Sequence, residues 1–303
     1  MTTQKIEHSH AGQRHEEHIV LGVVYMILAA ICFSSMSLLG KIIGDRASTD
    51  TILFSRFIIS FILVLPWVFK DPKAVIRVHS KGKVILRSFF GLLAFGSFFY
   101  ALRYISLADA LLLNNTCPLF VPVVVWMISR AKTPRKVWAG IILGFIGVGL
   151  VLNIDSKFFD PMSLVALLSG VFAAIAIVII RTLTRSITIL QILFYNFFIS
   201  SIISGILLPF SWKSLNTETL YLLLGVGLLG AAYQYLSTLS YTKAPVRITS
   251  PLMFLCIIFG AVADILIWDN IPSKFTVLGM ALVILGGAIT IYYGQKTLSS
   301  KSK

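Results

Sequence analysis

The sequence predicts an all-α membrane protein of ten transmembrane helices, arranged as two inverted five-helix repeats. Three observations predict this fold: an apolar composition, ten long apolar segments separated by basic connections, and a similarity between the two halves. Of the 303 residues, 57% are apolar and only 13% are charged, whereas a soluble domain carries about 25% charged residues. Such a chain has too few polar side chains to cover a surface in water, so we expect it to be surrounded by lipid.

The net charge of +14 would suggest a nucleic-acid partner in a soluble protein. Here the lysines and arginines occupy short gaps between apolar segments, which favours the anionic surface of a bilayer as their partner. No glycine-rich phosphate loop, zinc-ligand spacing or aromatic RNA-binding box accompanies them. We therefore predict no nucleic-acid partner, no cofactor and no metal. The cysteines, Cys32, Cys117 and Cys256, lie inside apolar segments, where they act as packing residues.

A helix needs about 20 mostly apolar residues to cross the hydrocarbon core. Ten segments meet this requirement, and we number them spans 1 to 10. Their predicted bounds are 19–40, 51–69, 84–104, 107–129, 137–153, 162–180, 188–210, 219–241, 247–268 and 275–294. The connections between them are too short to hold a soluble domain.

The basic residues predict the orientation of the spans. With a cytoplasmic N-terminus, the cytoplasmic side carries both tails and the connections after the even-numbered spans. Of the 26 basic residues, Arg56 lies within span 2 and only six lie on the opposite side, namely Lys41, Arg46, Arg103, Lys157, Lys213 and Lys274. The positive-inside rule therefore supports ten spans with both termini in the cytoplasm.

The two halves of the chain resemble each other. Segments 51–62 and 191–202 are identical at seven of twelve positions, and spans 3 and 8 share a similar C-terminal motif, ALRY and TLSY. Gly140 and Gly147 of span 5 align with Gly279 and Gly286 of span 10. We therefore predict a polar tail (1–18), a first repeat (19–155), a second repeat (156–295) and a second tail (296–303). Because five is odd, the second repeat must cross the membrane in the opposite sense, an architecture that recurs in secondary transporters.

Several segments of the sequence resemble those of a known transporter family. The chain resembles the EamA-type members of the drug/metabolite transporter superfamily over nearly its whole length. The resemblance rests on the Arg-Phe pair at 56–57, the segments ALRYISLADALLLNNTCPLF (101–120) and LSYTKAPVRITSPLMF (239–254), and the glycine-rich spans 5 and 10. It implies a carrier in the bacterial inner membrane that works without ATP hydrolysis. More loosely, the chain is similar to members that import adenosylmethionine in intracellular bacteria.

We therefore expect a secondary transporter that moves a small organic metabolite, amino-acid-like, zwitterionic or anionic, by alternating access. An importer of adenosylmethionine or of a nucleotide-linked metabolite is the alternative. A membrane enzyme subunit is a distant alternative, because the sequence lacks HExxH, GxSxG and Walker motifs. Its only histidine outside the N-terminal tail is His79.

Arg56 is the sharpest candidate for substrate binding. It lies about 8 Å inside the predicted start of span 2, and an arginine at the centre of a membrane costs about 2.5–3.5 kcal/mol on insertion scales. Its forked guanidinium suits a carboxylate; alternatively, it extends to the interface or pairs with Asp50 or Asp109 as a structural contact. Its counterpart in span 7 is Asn196, beside Tyr195, so we place both residues in the substrate pathway.

Spans 4 and 9 are interrupted by polar residues next to prolines. Asn114 and Asn115 precede Pro118, and Ser250 precedes Pro251. Paired interruptions of this kind indicate a binding site in transporters, although interhelical hydrogen bonds and a packing kink explain them equally well. We also place Gln234 of span 8 and Tyr100 of span 3 in the pathway, with packing as the alternative.

Asp109 and Asp264 lie near the outer ends of spans 4 and 9 and could carry a coupling proton. We favour the simpler interpretation, an interfacial carboxylate that meets water. The Gly140–Gly144 pair predicts close helix packing. The interface of a homodimer is the alternative interpretation. We interpret the four histidines of the tail, His8, His10, His15 and His18, as solvated residues rather than a metal site.

Overall fold

The chain folds into a bundle of helices in a computed structural model that describes residues 2–72, 75, 78, 81–129, 134–152, 160–183, 187–244 and 249–300. The side chains of the four tail histidines lie outside the described part. The α-helices are Thr2–Ile43, Thr49–Lys70, Lys81–Leu102, Leu107–Asn114, Cys117–Ser129, Arg135–Leu152, Met162–Leu183, Ile189–Ser211, Thr217–Lys243, Leu255–Trp268 and Lys274–Ser300.

Within the described residues, ten segments are long and apolar enough to cross a membrane, which confirms the predicted fold class. Span 1, Ile19–Arg46, consists of the apolar part of the first helix and the 3-10 turn that follows it, Gly44–Arg46. The first helix itself extends back through the polar tail to Thr2. Span 4 consists of two helices that meet at residues 115–116, and span 9 begins with a 3-10 turn, Ser250–Phe254, before its α-helix. The predicted interruptions in spans 4 and 9 are therefore present.

Spans 2 and 7 begin with equivalent N-caps. The Ser48 hydroxyl accepts a hydrogen bond from the Thr51 backbone N–H, and the Thr188 hydroxyl accepts one from the Gln191 N–H. In span 7 the Gln191 side chain also accepts from the Thr188 N–H, which completes a capping box. Each cap satisfies a backbone donor that the first turn of a helix leaves free. The same spacing in both halves explains why the two spans start at corresponding residues.

The main contacts between spans are unchanged when the two halves are exchanged. Span 1 packs against span 8, and span 6 against span 3; span 8 packs against span 2, and span 3 against span 7. Spans 2 and 7, 4 and 9, and 5 and 10 pack against their own counterparts. This pattern is what two copies of one five-helix unit produce when a two-fold pseudo-axis relates them.

The glycines of spans 5 and 10 give the sense of that axis. A Cβ atom added to Gly140 would lie 2.9 Å from the Gly286 carbonyl oxygen, and one added to Gly147 would lie 2.6 Å from the Gly279 oxygen. Because the residue numbers rise along one span as they fall along the other, the two counterpart spans are antiparallel. An inverted repeat has this arrangement, as the odd number of spans requires.

We expect Gly286→Ala to destabilise the protein, because its Cβ would lie 2.5 Å from the Gly144 backbone nitrogen. Backbone atoms cannot move aside as a side chain can, and overpacking of this kind costs about 1–3 kcal/mol. Gly149→Ala is the control, since nothing lies within 4 Å of its Cβ. Melting of the detergent-solubilised variants checks the prediction; equal melting temperatures for the two would contradict it.

Polar contacts join several connections at one end of the bundle, which we call the predicted outer end. Arg46 forms an ion pair with Glu218 at 2.8 Å, and Lys213 donates to the Asp45 carbonyl at 2.9 Å. Arg103 also pairs with Asp45. The connections after spans 1, 3 and 7 therefore share one side, as the alternation of the basic residues predicts.

Candidate functional site

Arg56 is buried inside the bundle, with 1% of its surface exposed. Its guanidinium carbon lies 3.2 Å from the centre of the Phe95 ring and 4.8 Å from that of Phe57. The guanidinium is thus held by the faces of two aromatic rings, a cation–π arrangement. Of the residues that the structure describes, none offers a carboxylate within 4 Å of it.

This position excludes both structural alternatives considered for Arg56. The side chain does not extend to the interface, because it is fully buried. It does not pair with Asp50, whose carboxylate accepts instead from the Ser211 hydroxyl at 2.7 Å, or with Asp109, whose Oδ1 atom has no hydrogen-bond partner. Its Nε and Nη1 atoms are buried without a hydrogen-bond partner, and unmet donors of this kind each cost about 1–3 kcal/mol.

Span 8 provides the space that Arg56 occupies. A Cβ on Gly230 would lie 3.1 Å from both Cγ and Nε of Arg56, so a larger residue would displace its side chain. One turn further along span 8, Tyr233 is close enough to Arg56 to interact with it electrostatically. The ring of Tyr233 packs against Phe33. Tyr233 was not among the residues predicted from the sequence, since an aromatic residue in an apolar span resembles an ordinary packing residue.

Arg87 is a second buried arginine, and its position differs from the expected one. The charge count places it at the cytoplasmic end of span 3, but the structure buries it to 6% exposure. Its Nη1 donates to the Oδ1 atom of Asn196, which is itself only 2% exposed. Asn196 thus receives a partner from span 3, and its proposed place in the interior is consistent with the structure.

The face of span 7 that carries Asn196 also carries an unpaired hydroxyl. Ser200, one turn after Asn196, is fully buried and its Oγ atom has no hydrogen-bond partner. Its counterpart in span 2, Ser60, donates to the carbonyl of Arg56 at 2.8 Å. Spans 2, 3 and 7 therefore each carry a buried polar atom without a hydrogen-bond partner, on Arg56, Arg87 and Ser200 respectively.

The interruption of span 4 is held by contacts to two other spans. Asn114 donates to the Ser169 hydroxyl of span 6 at 2.9 Å, and Asn115 contacts the Cys256 sulfur of span 9 at 3.2 Å. Gly170 lets span 6 approach closely, because its Cβ would lie 2.7 Å from the Thr116 hydroxyl. Both asparagines therefore make the interhelical hydrogen bonds considered as the alternative to substrate binding.

Asp264 is a buried carboxylate, and its interpretation as an interfacial group that meets water is wrong. It is 1% exposed and accepts hydrogen bonds from the backbone N–H groups of Leu107 and Ala108 at 3.1 and 2.7 Å. These groups start span 4, where the helix dipole favours a negative charge. Lys41 of span 1 lies 3.6 Å from the same carboxylate, so this contact joins spans 1, 4 and 9.

Asp109 lies beside this contact, in the first turn of span 4. Its backbone N–H donates to the capping hydroxyl of Ser106 at 3.0 Å, and its Oδ1 is buried without a partner. The carboxylate is within electrostatic range of Asp264 and Lys41. The two acidic residues predicted from the sequence are therefore neighbours, and Lys41 is the partner that the sequence did not indicate.

The remaining predicted residues are more dispersed. Tyr100 exposes 42% of its surface and packs against Tyr104. Tyr195 packs against Phe194. Gln234 is half-buried beside Tyr233, and Ser250 is half-buried at the start of the 3-10 turn. Of these four residues, Tyr195 and Gln234 are sequence neighbours of residues near the two arginines, namely Asn196 and Tyr233.

The same protein family matches both halves of the chain. Residues 20–153 and 161–292 each match the EamA-like transporter family. The chain belongs to this family. The two matches cover most of the sequence, and they coincide with the two groups of five spans that exchange with each other in the bundle.

Curated relatives of this EamA-like protein are transporters. It is 24% identical over 280 residues to an S-adenosylmethionine uptake transporter of Rickettsia prowazekii, a match that covers 92% of this chain and 95% of the relative. It is 26% identical over 269 residues to a pseudopaline exporter of Pseudomonas aeruginosa, with 87% and 93% covered. An uncharacterized transporter of Helicobacter pylori is also 26% identical, with 89% and 94% covered.

A solved crystal structure supports the fold of the EamA-like chain. It superposes with a TM-score of 0.63 at 15% identity and covers 91% of this chain and 97% of its own. Together with the ten spans and the curated relatives, the family membership makes this protein a multi-pass membrane transporter of a small metabolite rather than an enzyme. A small-molecule substrate and a surrounding bilayer follow from that function.

Proposed function

We propose that this protein is a secondary transporter for a small organic metabolite that carries a carboxylate, which Arg56 binds. The observation that carries this proposal is the guanidinium of Arg56, which is buried against two aromatic rings and has unmet donors. Arginine presents several N–H donors in a planar fork that matches a carboxylate. A substrate carboxylate would supply the hydrogen-bond acceptors that Nε and Nη1 of Arg56 lack.

The location of Arg56 supports this role. It lies seven residues after the start of span 2, Thr49–Lys70, about 10 Å from that end. Span 2 packs directly against its counterpart, span 7, and transporters built from inverted repeats bind substrate where the repeats meet. Arg56, Asn196, Tyr233 and Gln234 are the residues that we assign to the substrate pathway.

Import of S-adenosylmethionine is a second candidate, because several relatives in Rickettsia have that name. Besides its own carboxylate, this substrate carries a sulfonium and an ammonium group, which leaves one net positive charge for a carboxylate in the protein to balance. All twelve acidic residues of the sequence lie in the tail, in connections or within a few residues of the end of a span. Two arginines in the interior therefore favour a substrate with more negative than positive charge.

We assign closure of the predicted outer end to the contact between Lys41, Asp264 and the first turn of span 4. Opening that end requires spans 1, 4 and 9 to separate, which breaks the ion pair and both hydrogen bonds of the carboxylate. Protonation of Asp264 or of its neighbour Asp109 would weaken the contact with Lys41. These two carboxylates are therefore our candidates for coupling transport to a proton gradient.

Purified protein in liposomes tests the proposed function. We expect it to accumulate at least one carboxylate-bearing metabolite when a proton or substrate gradient is imposed, and we expect ligand binding to raise its melting temperature in detergent. Vesicles with an Arg56→Met variant are the control. Turnover of a substrate in detergent without vesicles would instead indicate an enzyme and would contradict the proposal.

We also propose that the protein lies in the inner membrane with both termini in the cytoplasm. In intact cells, a membrane-impermeant maleimide should then label a cysteine at position 274 but not one at position 70. Lys70 and Lys274 end span 2 and begin span 10, respectively. The unsubstituted protein gives the background, since two of its three cysteines are buried. Labelling of position 70 alone would reverse the orientation.

A further inference from the structure

We propose that Arg87 is a second anionic subsite, and that the substrate is a dicarboxylate bound between Arg56 and Arg87. This inference rests on the proposed transport function and specifies its substrate class. The first argument is the charge of the interior. Arg56 and Arg87 are both buried in the described structure, and the acidic residues of the sequence lie outside the middle of the spans.

The hydrogen bond that Arg87 makes does not neutralise its charge. Its partner is the neutral amide oxygen of Asn196, and Arg56 rests on neutral rings. The two guanidinium groups also interact unfavourably with each other. Buried charges are ordinarily paired, so these two guanidinium groups call for two negative charges. A substrate with one carboxylate would provide only one of them.

The spacing of the two arginines favours two separate anionic groups. Spans 2 and 3 each contain 22 residues and run in opposite directions. The Cα atom of Arg56 lies about 10 Å from one end and that of Arg87 about 9 Å from the other, which leaves an offset of about 13 Å between these two atoms along the axis of a 33 Å helix. The Arg87 side chain shortens this distance, because its Nη1 lies 3.1 Å from the Cβ position of Gly91, one turn nearer the middle.

We expect a short dicarboxylate to contact both guanidinium groups. Each guanidinium–carboxylate hydrogen bond spans about 2.8 Å, and the carbon chain between the two carboxylates covers the rest. The donors needed are present at both ends, since Nε of Arg56 and Nε of Arg87 are buried without partners. The hydroxyl of Ser200 is also unpaired and supplies a further polar contact beside Asn196.

Two matched pairs of compounds test the inference: succinate against succinamate, and glutamate against glutamine. The members of each pair have nearly the same shape and differ by one negative charge. We expect succinate and glutamate to raise the melting temperature of the detergent-solubilised wild-type protein at concentrations about tenfold lower than their amides, which corresponds to about 1.4 kcal/mol. The same preference should appear in liposome uptake.

Arg87→Gln should abolish this preference for dicarboxylates, whereas Arg87→Lys should retain most of it. Arg135→Gln is the charge-matched control, because Arg135 is exposed at the start of span 5. A purely structural role for Arg87 would lower the affinity for both members of a pair equally, and that result would overturn the inference. Failure of the wild-type protein to bind either dicarboxylate would overturn it as well, while uptake of another carboxylate would leave the proposed transport function intact.

Discussion

Arg56→Met should reduce transport of a carboxylate-bearing substrate by at least about tenfold and should leave the protein equally stable or more stable. The loss in transport follows from the removal of a charge-assisted hydrogen bond, and a factor of ten corresponds to about 1.4 kcal/mol. The stability follows from the unmet Nε and Nη1 donors, since replacing a buried charge by an apolar side chain of similar volume is often neutral or stabilising.

The combination of lost transport and retained stability separates a binding role from a structural one. Arg56→Lys is the matched variant, since it keeps the charge but loses the planar fork, and we expect intermediate transport. Uptake rates in liposomes and melting temperatures in detergent provide the two measurements. If Arg56→Met unfolded at a lower temperature and its residual folded fraction transported normally, Arg56 would be a packing residue.

Asp264→Asn should destabilise the protein by about 3 kcal/mol, the lower end of the range for breaking a buried ion pair. The amide leaves Lys41 without a counter-charge, and only one of its two polar atoms can accept from the N–H groups of Leu107 and Ala108. The lower end applies because Lys41 keeps some contact with solvent, its side chain being 16% exposed. Unfolding of the purified protein in detergent checks the value.

Asp269→Asn is the control for this substitution. Asp269 directly follows the same helix, is exposed, and adopts a left-handed conformation that asparagine tolerates. It should therefore change stability by less than about 0.5 kcal/mol. The double variant Lys41→Met/Asp264→Leu should recover part of the loss, because it removes both charges together. Equal stability of Asp264→Asn and Asp269→Asn would show that the buried pair does not hold spans 1, 4 and 9 together.

The fold was predictable because lipid imposes a simple requirement on sequence. Each span must be apolar for about 20 residues, so the ten segments and their order can be found without tertiary information. The inverted repeat was predicted from the odd number of spans and from the glycines of spans 5 and 10. Gly140 and Gly147 have the same spacing as Gly279 and Gly286. The interruption near Asn114 was predictable because polar residues and proline coincide there.

The site was only partly predictable, because burial near the end of a span depends on contacts distant in sequence. Arg87 lies six residues after Lys81, where an arginine ordinarily reaches the interface, and only the approach of Asn196 from span 7 makes it an interior residue. The sequence leaves the burial of Asp264 equally undecided, because this residue also lies near the end of a span. Its partners, the first N–H groups of span 4, are more than 150 residues away along the chain.

The buried carboxylate of Asp264 has no equivalent in the first half of the chain. The positions that correspond to it in span 4 are Val124 and Val125, neither of which can form an ion pair. In a carrier made from two identical halves, the forms open to either side would be equal in free energy, and an empty carrier would divide its time evenly between them. Under the proposed mechanism, the contact of Asp264 with Lys41 and span 4 removes that degeneracy, and we expect the substrate-free carrier to favour the form whose predicted outer end is closed.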